Sequence, residues 1–318
     1  MESIIFSLDG RVDLMNSILE HYNKISENKN TIIGEFNHQK FSDGELCGDY
    51  SVSVRGKRVY LLSSANDSDK IISLILAIDA AKRAAASEII PILPYFPYAR
   101  QDKKDQVRGP IGAKVIASML ENAGATSIIT FDLHADQIQG FFDIPLTHIE
   151  GKNVFDDYIY SISNENTVLC GPDAGSGKRV KRMKDQLLNH YGLDLNYVMM
   201  DKTRKVANEV DKMVIIGDVQ DKDVIILDDM VDTAGTLCKA ASVIIENGAK
   251  SVMAIISHGV LSGNAYKNIN SSVLKELVIS DSLLKKDLPN NIITISIDFQ
   301  IAKTIASINN NLSYELIK

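Results

Sequence analysis

The sequence predicts an α/β protein with open, mostly parallel sheets, and two observations carry that reading. Short apolar runs alternate with helical patterns almost throughout the 318 residues, as strand–helix–strand units require. Apolar residues make up 45% and charged residues 24%, the balance of a globular chain and not of a disordered, collagenous or low-complexity one. A chain of this length makes roughly two domains.

The elements follow in order. Residues Ile71 to Ala86 read as a helix, with Asp67 or Ser68 offering a side-chain oxygen to its first amides. Glu88 to Leu93 is a β-branched strand. Pro110 to Asn122 is a helix that opens on a proline, whose missing N–H is no loss there, and stops near Gly124. Ser127 to Phe131 is the next strand. Beyond it come a strand at Thr167 to Cys170, a helix at Lys178 to His190 and a strand at Asn196 to Met200. The last set is a strand at Val224 to Leu227, a helix at Thr236 to Asn247 and a strand at Ser251 to Ser257. Glu121-Asn122-Ala123-Gly124-Ala125-Thr126-Ser127-Ile128 is echoed by Glu246-Asn247-Gly248-Ala249-Lys250-Ser251-Val252. The echo fits either one duplicated α/β unit or two independent helix-to-strand turns. No Pro/Gly/Ser linker separates the halves, and the boundary is set near Gly151.

Charge and cysteines narrow the function classes. Lys+Arg 34 against Asp+Glu 41 gives a net charge of −7, which excludes a nucleic-acid partner but not phosphate bound by a few local cations and amides. The most apolar helical stretch, Ile71 to Ala81, is short and contains Asp79, so no membrane partner is expected. The N-terminus lacks the pattern of a secretory signal. Cys47, Cys170 and Cys238 are far apart and form no CxxC pair, against a disulfide framework or structural zinc and in favour of a cytoplasmic location.

The densest chemistry lies in Val224-Ile225-Ile226-Leu227-Asp228-Asp229-Met230-Val231-Asp232-Thr233-Ala234-Gly235-Thr236. A β-branched run ends in two adjacent carboxylates, a third follows, and small and hydroxyl residues open a helix. Ligands of open α/β sheets bind beyond the carboxyl ends of the strands. Amides and hydroxyls of Thr233 to Thr236 suit a phosphate at the helix N-terminus. The paired acids suit a sugar diol or a metal-bound water. A sugar-phosphate site is the expectation.

These residues resemble the phosphoribosyl-diphosphate motif of type I phosphoribosyltransferases and ribose-phosphate pyrophosphokinases. Four further segments are similar to class I pyrophosphokinases in particular: Phe41-Ser42-Asp43-Gly44-Glu45, Tyr98-Ala99-Arg100-Gln101-Asp102-Lys103-Lys104, Asp132-Leu133-His134-Ala135-Asp136 and His258-Gly259-Val260-Leu261-Ser262-Gly263. The resemblance runs from about Phe36 to Ser282. It implies two similar α/β domains of the type I phosphoribosyltransferase kind. One spans 1–150, joined by a C-terminal helix over 298–318, and the other spans 151–297.

The resemblance also implies transfer of the β,γ-diphosphoryl group of MgATP to the C1 hydroxyl of ribose 5-phosphate, with AMP leaving. Phe41, Asp43, Glu45, Arg100, Gln101 and Asp102 are then the ATP residues. Asp228, Asp229, Asp232, Thr233, Ala234, Gly235 and Thr236 hold ribose 5-phosphate. Magnesium falls to His134 and Asp173, although imidazole is not a hard donor, with Asp132 placed to orient the His134 ring.

The turn Gly171-Pro172-Asp173-Ala174-Gly175-Ser176-Gly177-Lys178-Arg179 fails as a P-loop, because Pro172 and Arg179 stand where glycine and Ser/Thr belong. It is similar to the family's diphosphate turn, assigned to Asp173, Ala174 and Gly175, and departs from it over Ser176 to Arg179. Met200-Asp201-Lys202-Thr203-Arg204-Lys205 resembles the mobile catalytic loop, with Lys202 and Arg204 as the catalytic cations. The family implies hexamers built from dimers, with the Phe41 to Glu45 loop reaching a neighbouring subunit's adenine. A phosphoribosyltransferase would share the sugar-phosphate loop without needing Phe41 to Glu45 or Tyr98 to Asp102. A non-catalytic regulatory homologue would not need His134, Asp173, Lys202 and Arg204 together.

Overall fold

The computed structural model describes residues 1–203 and 212–317, and the chain divides into two compact units. The first holds residues 1–150, 282–284 and 297–318. It starts with β1 (Ser3–Ser7), α1 (Val12–Ile25) and β2 (Thr31–Gly34), then a hairpin of β3 (Phe36–Lys40) and β4 (Leu46–Tyr50). It continues through β5 (Arg58–Leu62), α2 (Ser68–Arg83), β6 (Glu88–Leu93), α3 (Gly112–Ala123), β7 (Ile128–Phe131) and β8 (Leu146–Ile149). Its sheet has the order β2-β1-β5-β6-β7-β8 with every pairing parallel, and β3-β4 form a separate antiparallel ribbon.

The second unit, residues 151–281 and 285–296, opens with α4 (Lys152–Ile162), β9 (Thr167–Gly171), α5 (Gly177–Tyr191), β10 (Asn196–Thr203) and β11 (Lys212–Ile216). It goes on with β12 (Asp223–Val231), α6 (Gly235–Glu246), β13 (Ser251–Gly259), α7 (Ala265–Asn270), β14 (Leu277–Ser280) and β15 (Ile292–Ile295). The sheet order is β11-β10-β9-β12-β13-β14-β15, parallel except for the antiparallel edge strand β11. Helix α8 (Asp298–Asn310) belongs to the first unit. Each sheet has its own apolar core, built in the first around Ile4, Phe6, Leu61, Leu74, Ile78 and Leu93 and in the second around Cys170, Ile226, Leu237, Ile244, Ala254 and Ile256. Both faces of these parallel sheets are covered, which is why their strands read as continuous β-branched runs.

Apart from β11 and the hairpin, the two units share one strand order, so the fold class holds. The sequence echo does not mark the duplication. It pairs the α3-to-β7 turn with the α6-to-β13 turn, whereas the topological partner of α6-to-β13 is α2-to-β6. The echoed residues are two independent helix ends.

Local differences from the expected elements have local causes. Asp67 caps α2 by accepting the Lys70 amide at 2.9 Å, so the helix starts at Ser68, and it stops at Arg83 before Ala85 turns to φ +59°. The second helix begins at Gly112, after Ile111, not at Pro110. Pro91 lies inside β6 yet breaks no ladder: pairing to β7 begins at Ile92, and Thr126 supplies both partners of Ile89, accepting its amide at 3.0 Å and donating its own amide to the Ile89 carbonyl at 2.8 Å. The C-terminal helix is shorter than 298–318, because Asn311 adopts φ +53° and ends α8 at Asn310. Among the described residues no helix is long and apolar enough to cross a membrane.

Helix α8 is joined to the first sheet by a polar clasp. The Asn309 amide nitrogen faces the hydroxyls of Ser3, Tyr22 and Thr31 at 3.1, 3.1 and 3.0 Å. Its carbonyl accepts from Arg58 at 2.7 Å and Tyr60 at 3.0 Å. Arg58, 8% exposed, also makes a bidentate pair with Glu88 at 2.8 and 2.7 Å. Removing the amide leaves buried hydroxyls and a guanidinium short of partners. Asn309→Ala is therefore expected to cost about 2–4 kcal/mol, read as a fall in the melting temperature; an unchanged melting curve would show that the clasp is idle.

Candidate functional site

Each sheet reverses its strand order at one switch point, and this locates the candidate sites. In the second unit the chain leaves β9 toward β10 on one side and leaves β12 toward β13 on the other. Adjacent parallel strands whose following loops diverge open a crevice at their carboxyl ends. Register pairs Ile226 with Cys170, so the residues next after this pair, Gly171 to Ser176 and Leu227 to Thr236, rim the same crevice.

On the β12 side, the strand is longer than its β-branched run suggests. It reaches Val231, so Asp228 and Asp229 sit on the strand itself, with Asp228 in register with Ile256 of β13. Pairing to β13 holds both acids in place. Asp229 is buried at 6% exposure and its amide donates to Asp228 Oδ1 at 2.9 Å. Burial and the neighbouring Asp229 charge push the Asp228 carboxyl well above its ordinary value, and Arg179 offsets this only in part. The Arg179 guanidinium lies 3.9 Å from Asp229 Oδ1.

Past Val231 the loop turns sharply. Ala234 adopts φ +61° and serves as the N-cap of α6 without any side-chain cap, leaving the first amides of that helix to other partners. Thr233, Gly235 and Thr236 are exposed. Asp232 accepts the Ser262 hydroxyl, and the Asn268 side-chain amide donates to the Thr233 carbonyl at 2.9 Å.

On the β9 side, Asp173 caps a single 3₁₀ turn over Ala174–Ser176. The Ser176 amide donates to Asp173 Oδ1 at 2.9 Å, the Asp173 amide donates to Ser176 Oγ at 3.3 Å, and the Ser176 hydroxyl donates to the Asp173 carbonyl at 2.6 Å. The residue at which the turn departs from the family pattern is thus the one that closes it. A Cβ at Gly171 would fall 2.6 Å from Ser176 Oγ and would displace the hydroxyl that closes the turn. Asp173 is exposed, and its second carboxylate oxygen takes no hydrogen bond among the described residues.

In the first unit the corresponding switch point lies between β1 and β5, and it is filled from within. Asp9 accepts the Ser64 amide at 2.8 Å, and buried Arg11 donates to the Ser282 carbonyl at 3.1 Å. The expected ATP residues lie elsewhere. Phe41, Asp43 and Glu45 form the exposed tip of the β3–β4 hairpin, with the Phe41 amide on the Glu45 carbonyl at 2.8 Å and the Glu45 amide on Asp43 Oδ1 at 3.1 Å. Phe41 itself is 46% exposed. Arg100, Gln101 and Asp102 follow the Pro-rich turn after β6, where Tyr98 adopts φ +57° and its carbonyl accepts the Gln101 amide at 2.9 Å. Gln137 donates to Asp102 at 3.0 Å, which ties this run to the segment after β7. There Asp132 is buried with φ +39°, its amide bonded to the Ile149 carbonyl at 2.8 Å, and His134 is exposed.

The expected catalytic loop is corrected in one respect. Met200 to Thr203 are not loop: β10 runs on through them, with Lys202 in register with Met213 of β11. Arg204 lies outside the described residues. Sequence reasoning missed Arg179 as a partner of the acid pair, Ser176 as the lock of the turn, and Ser262 and Asn268 as supports of the sugar-phosphate loop. Ser-x-x spacing from Asp173 was the one signal available for any of them.

Residues 4–124 match the family described as the N-terminal domain of ribose phosphate pyrophosphokinase, and residues 193–317 the phosphoribosyl synthetase-associated domain. A ribose-phosphate pyrophosphokinase of Porphyromonas gingivalis is 48% identical over 262 residues, covering 82% of each chain. That of Campylobacter jejuni is 46% identical over 278 residues, covering 86% of this chain and 88% of its own. The crystal structure of phosphoribosylpyrophosphate synthetase from Mycobacterium smegmatis is similar with a TM-score of 0.88 at 30% identity, covering 98% of this chain and 100% of that one. At this identity and coverage the chain belongs to the ribose-phosphate pyrophosphokinase family.

Proposed function

We propose that this protein transfers the β,γ-diphosphoryl group of MgATP to the C1 hydroxyl of ribose 5-phosphate, releasing AMP and 5-phosphoribosyl 1-diphosphate. The observation that carries the reading is the acid pair Asp228–Asp229 near the end of β12, with an uncapped helix start one short loop later. Carboxylates accept hydrogen bonds from a ribose diol, and the amides and hydroxyls of Thr233 to Thr236 receive the 5-phosphate. Asp232 holds the loop between them. The turn at Asp173, Ala174 and Gly175 offers backbone amides to diphosphate.

Phe41, Asp43 and Glu45 receive adenine, and Arg100, Gln101 and Asp102 the rest of the nucleotide. Lys202 and Arg204 are the cations that neutralise charge developing on the transferred group, the main protein contribution to phosphoryl chemistry.

Asp173 and His134, each within its own unit, are the proposed magnesium donors. Asp173 offers one unoccupied carboxylate oxygen and His134 an exposed ring, which suits an ion that keeps most of its shell on phosphate and water. When bound, it neutralises phosphate charge and fixes the geometry of in-line attack. Asp132 orients His134 in this reading. Exposure of the Phe41 tip supports self-association, as hexamers built from dimers, with adenine received across subunits. The free thiols of Cys47, Cys170 and Cys238 support a cytoplasmic location.

Purified protein given ribose 5-phosphate, ATP and magnesium is expected to form AMP only when the sugar phosphate is present; ADP as the product, or no product, would overturn the reading. Lys202→Ala is expected to lower kcat by about 100-fold or more while the KM for ATP moves far less, and unchanged turnover would remove Lys202 from the mechanism. Asp228 gives a prediction of opposite sign for stability. Its folded-state pKa is raised, so its ionisation destabilises the fold as pH climbs through that value, and stability is fullest below the unfolded carboxyl value. Asp228→Asn should therefore melt higher than wild type at pH 7, with the gap closing toward pH 4, while ribose 5-phosphate affinity drops about 10–100-fold. A variant that melts lower at pH 7 would show that the acid pair is not strained.

A further inference from the structure

We infer that Ser262 and Asn268 are positioning residues for ribose 5-phosphate, shaping the Asp232 to Thr236 loop without touching the substrate; this rests on the reading of that loop as the sugar-phosphate site. Three successive carbonyls before the helix are all anchored to one neighbouring segment. The Leu261 amide donates to the Val231 carbonyl at 3.1 Å, the Ser262 amide to the Asp232 carbonyl at 3.1 Å, and the Asn268 side chain to the Thr233 carbonyl at 2.9 Å. The Ser262 hydroxyl adds a bond to the Asp232 carboxylate.

In a trans peptide the N–H points opposite to the preceding C=O, and the chain has no cis bond. Holding the carbonyls of residues 231–233 against the 261–268 segment therefore turns the amides of Asp232, Thr233 and Ala234 to the opposite side. That is the arrangement an anion needs from consecutive amides. The loop requires such an external hold, because Ala234 at φ +61° is a costly conformation for a residue with a Cβ, and no side chain caps α6. Asp232 is likewise kept from swinging into the phosphate position by Ser262. The brace acts on the loop alone, so it bears on sugar-phosphate affinity and not on the ATP residues.

The test compares the full-length wild type with Ser262→Ala, Asn268→Ala and the double variant, measuring ribose 5-phosphate binding by titration calorimetry and KM and kcat for both substrates. The double variant is expected to weaken ribose 5-phosphate binding at least about tenfold, with the KM for ATP within about twofold. Ser262→Thr, which keeps the hydroxyl, should recover most of the Ser262→Ala loss. Variants that bind ribose 5-phosphate as the wild type does would overturn the proposal, as would an equal loss for ATP, the mark of general disruption. A wild type that binds ATP but not ribose 5-phosphate would bring down the reading of the loop as well. Ser262→Ala, on an exposed loop, decides the matter alone if the double variant does not fold.

Discussion

Two carboxylates held side by side at the end of a central strand set the terms for the rest of the second unit. Asp228 and Asp229 cannot separate, because the strand carrying them is paired in register to β13 past both. Burial, and after it the neighbouring Asp229 charge, keep Asp228 reluctant to ionise, and Arg179 at 3.9 Å from Asp229 relieves only part of it. In the proposed reading a sugar diol donates hydrogen bonds to both acids. The cost in stability is the kind that binding sites retain when selection acts on function. Around this pair the chain places the amides of the turn after β9 and of the loop after β12, which rim one crevice at the switch point of the sheet.

On the proposed reading, this arrangement reconciles a net charge of −7 with anionic substrates. In that reading backbone amides, which carry no formal charge, receive the phosphate. Net charge speaks to long-range partners such as nucleic acid, and is silent about a crevice of oriented dipoles. The first unit shows the converse. It shares the strand order, yet its own switch point is closed by the Asp9–Ser64 bond and by Arg11 reaching the Ser282 carbonyl. The same topology leaves a crevice rimmed by acids and amides in one unit and is packed in the other, in keeping with sites being grafted on folds and not implied by them.

Much of this was legible in the sequence, and the failures have physical reasons. Strands buried on both faces, such as Glu88 to Leu93, announce themselves as β-branched runs, and their bounds were read correctly. The strand carrying Asp228 was read too short because acids are poor strand formers; pairing to β13 overrides that preference. The same override carries β10 through Lys202. Strands β1, β2 and β5 and the amphipathic α1 are not among the sequence-predicted elements, although β7 and β9, of no greater length than those strands, are. The Asn309 clasp joins residues about 250–306 positions apart, a distance over which no local pattern operates. The side chains proposed to bind ligand stand out as unusual clusters, whereas those that hold the loops, Ser176, Ser262 and Asn268, look like any serine or asparagine until the backbone they bond is known.

The central claim is that the acid pair recognises the sugar diol, and the most direct measurement is the relative affinity of the wild-type protein for ribose 5-phosphate and 2-deoxyribose 5-phosphate. Removing the 2-hydroxyl leaves phosphate recognition intact and deprives a half-buried carboxylate of its donor. Affinity for the deoxy sugar is predicted to be lower by about tenfold or more. Equal affinity for the two sugars would contradict the account.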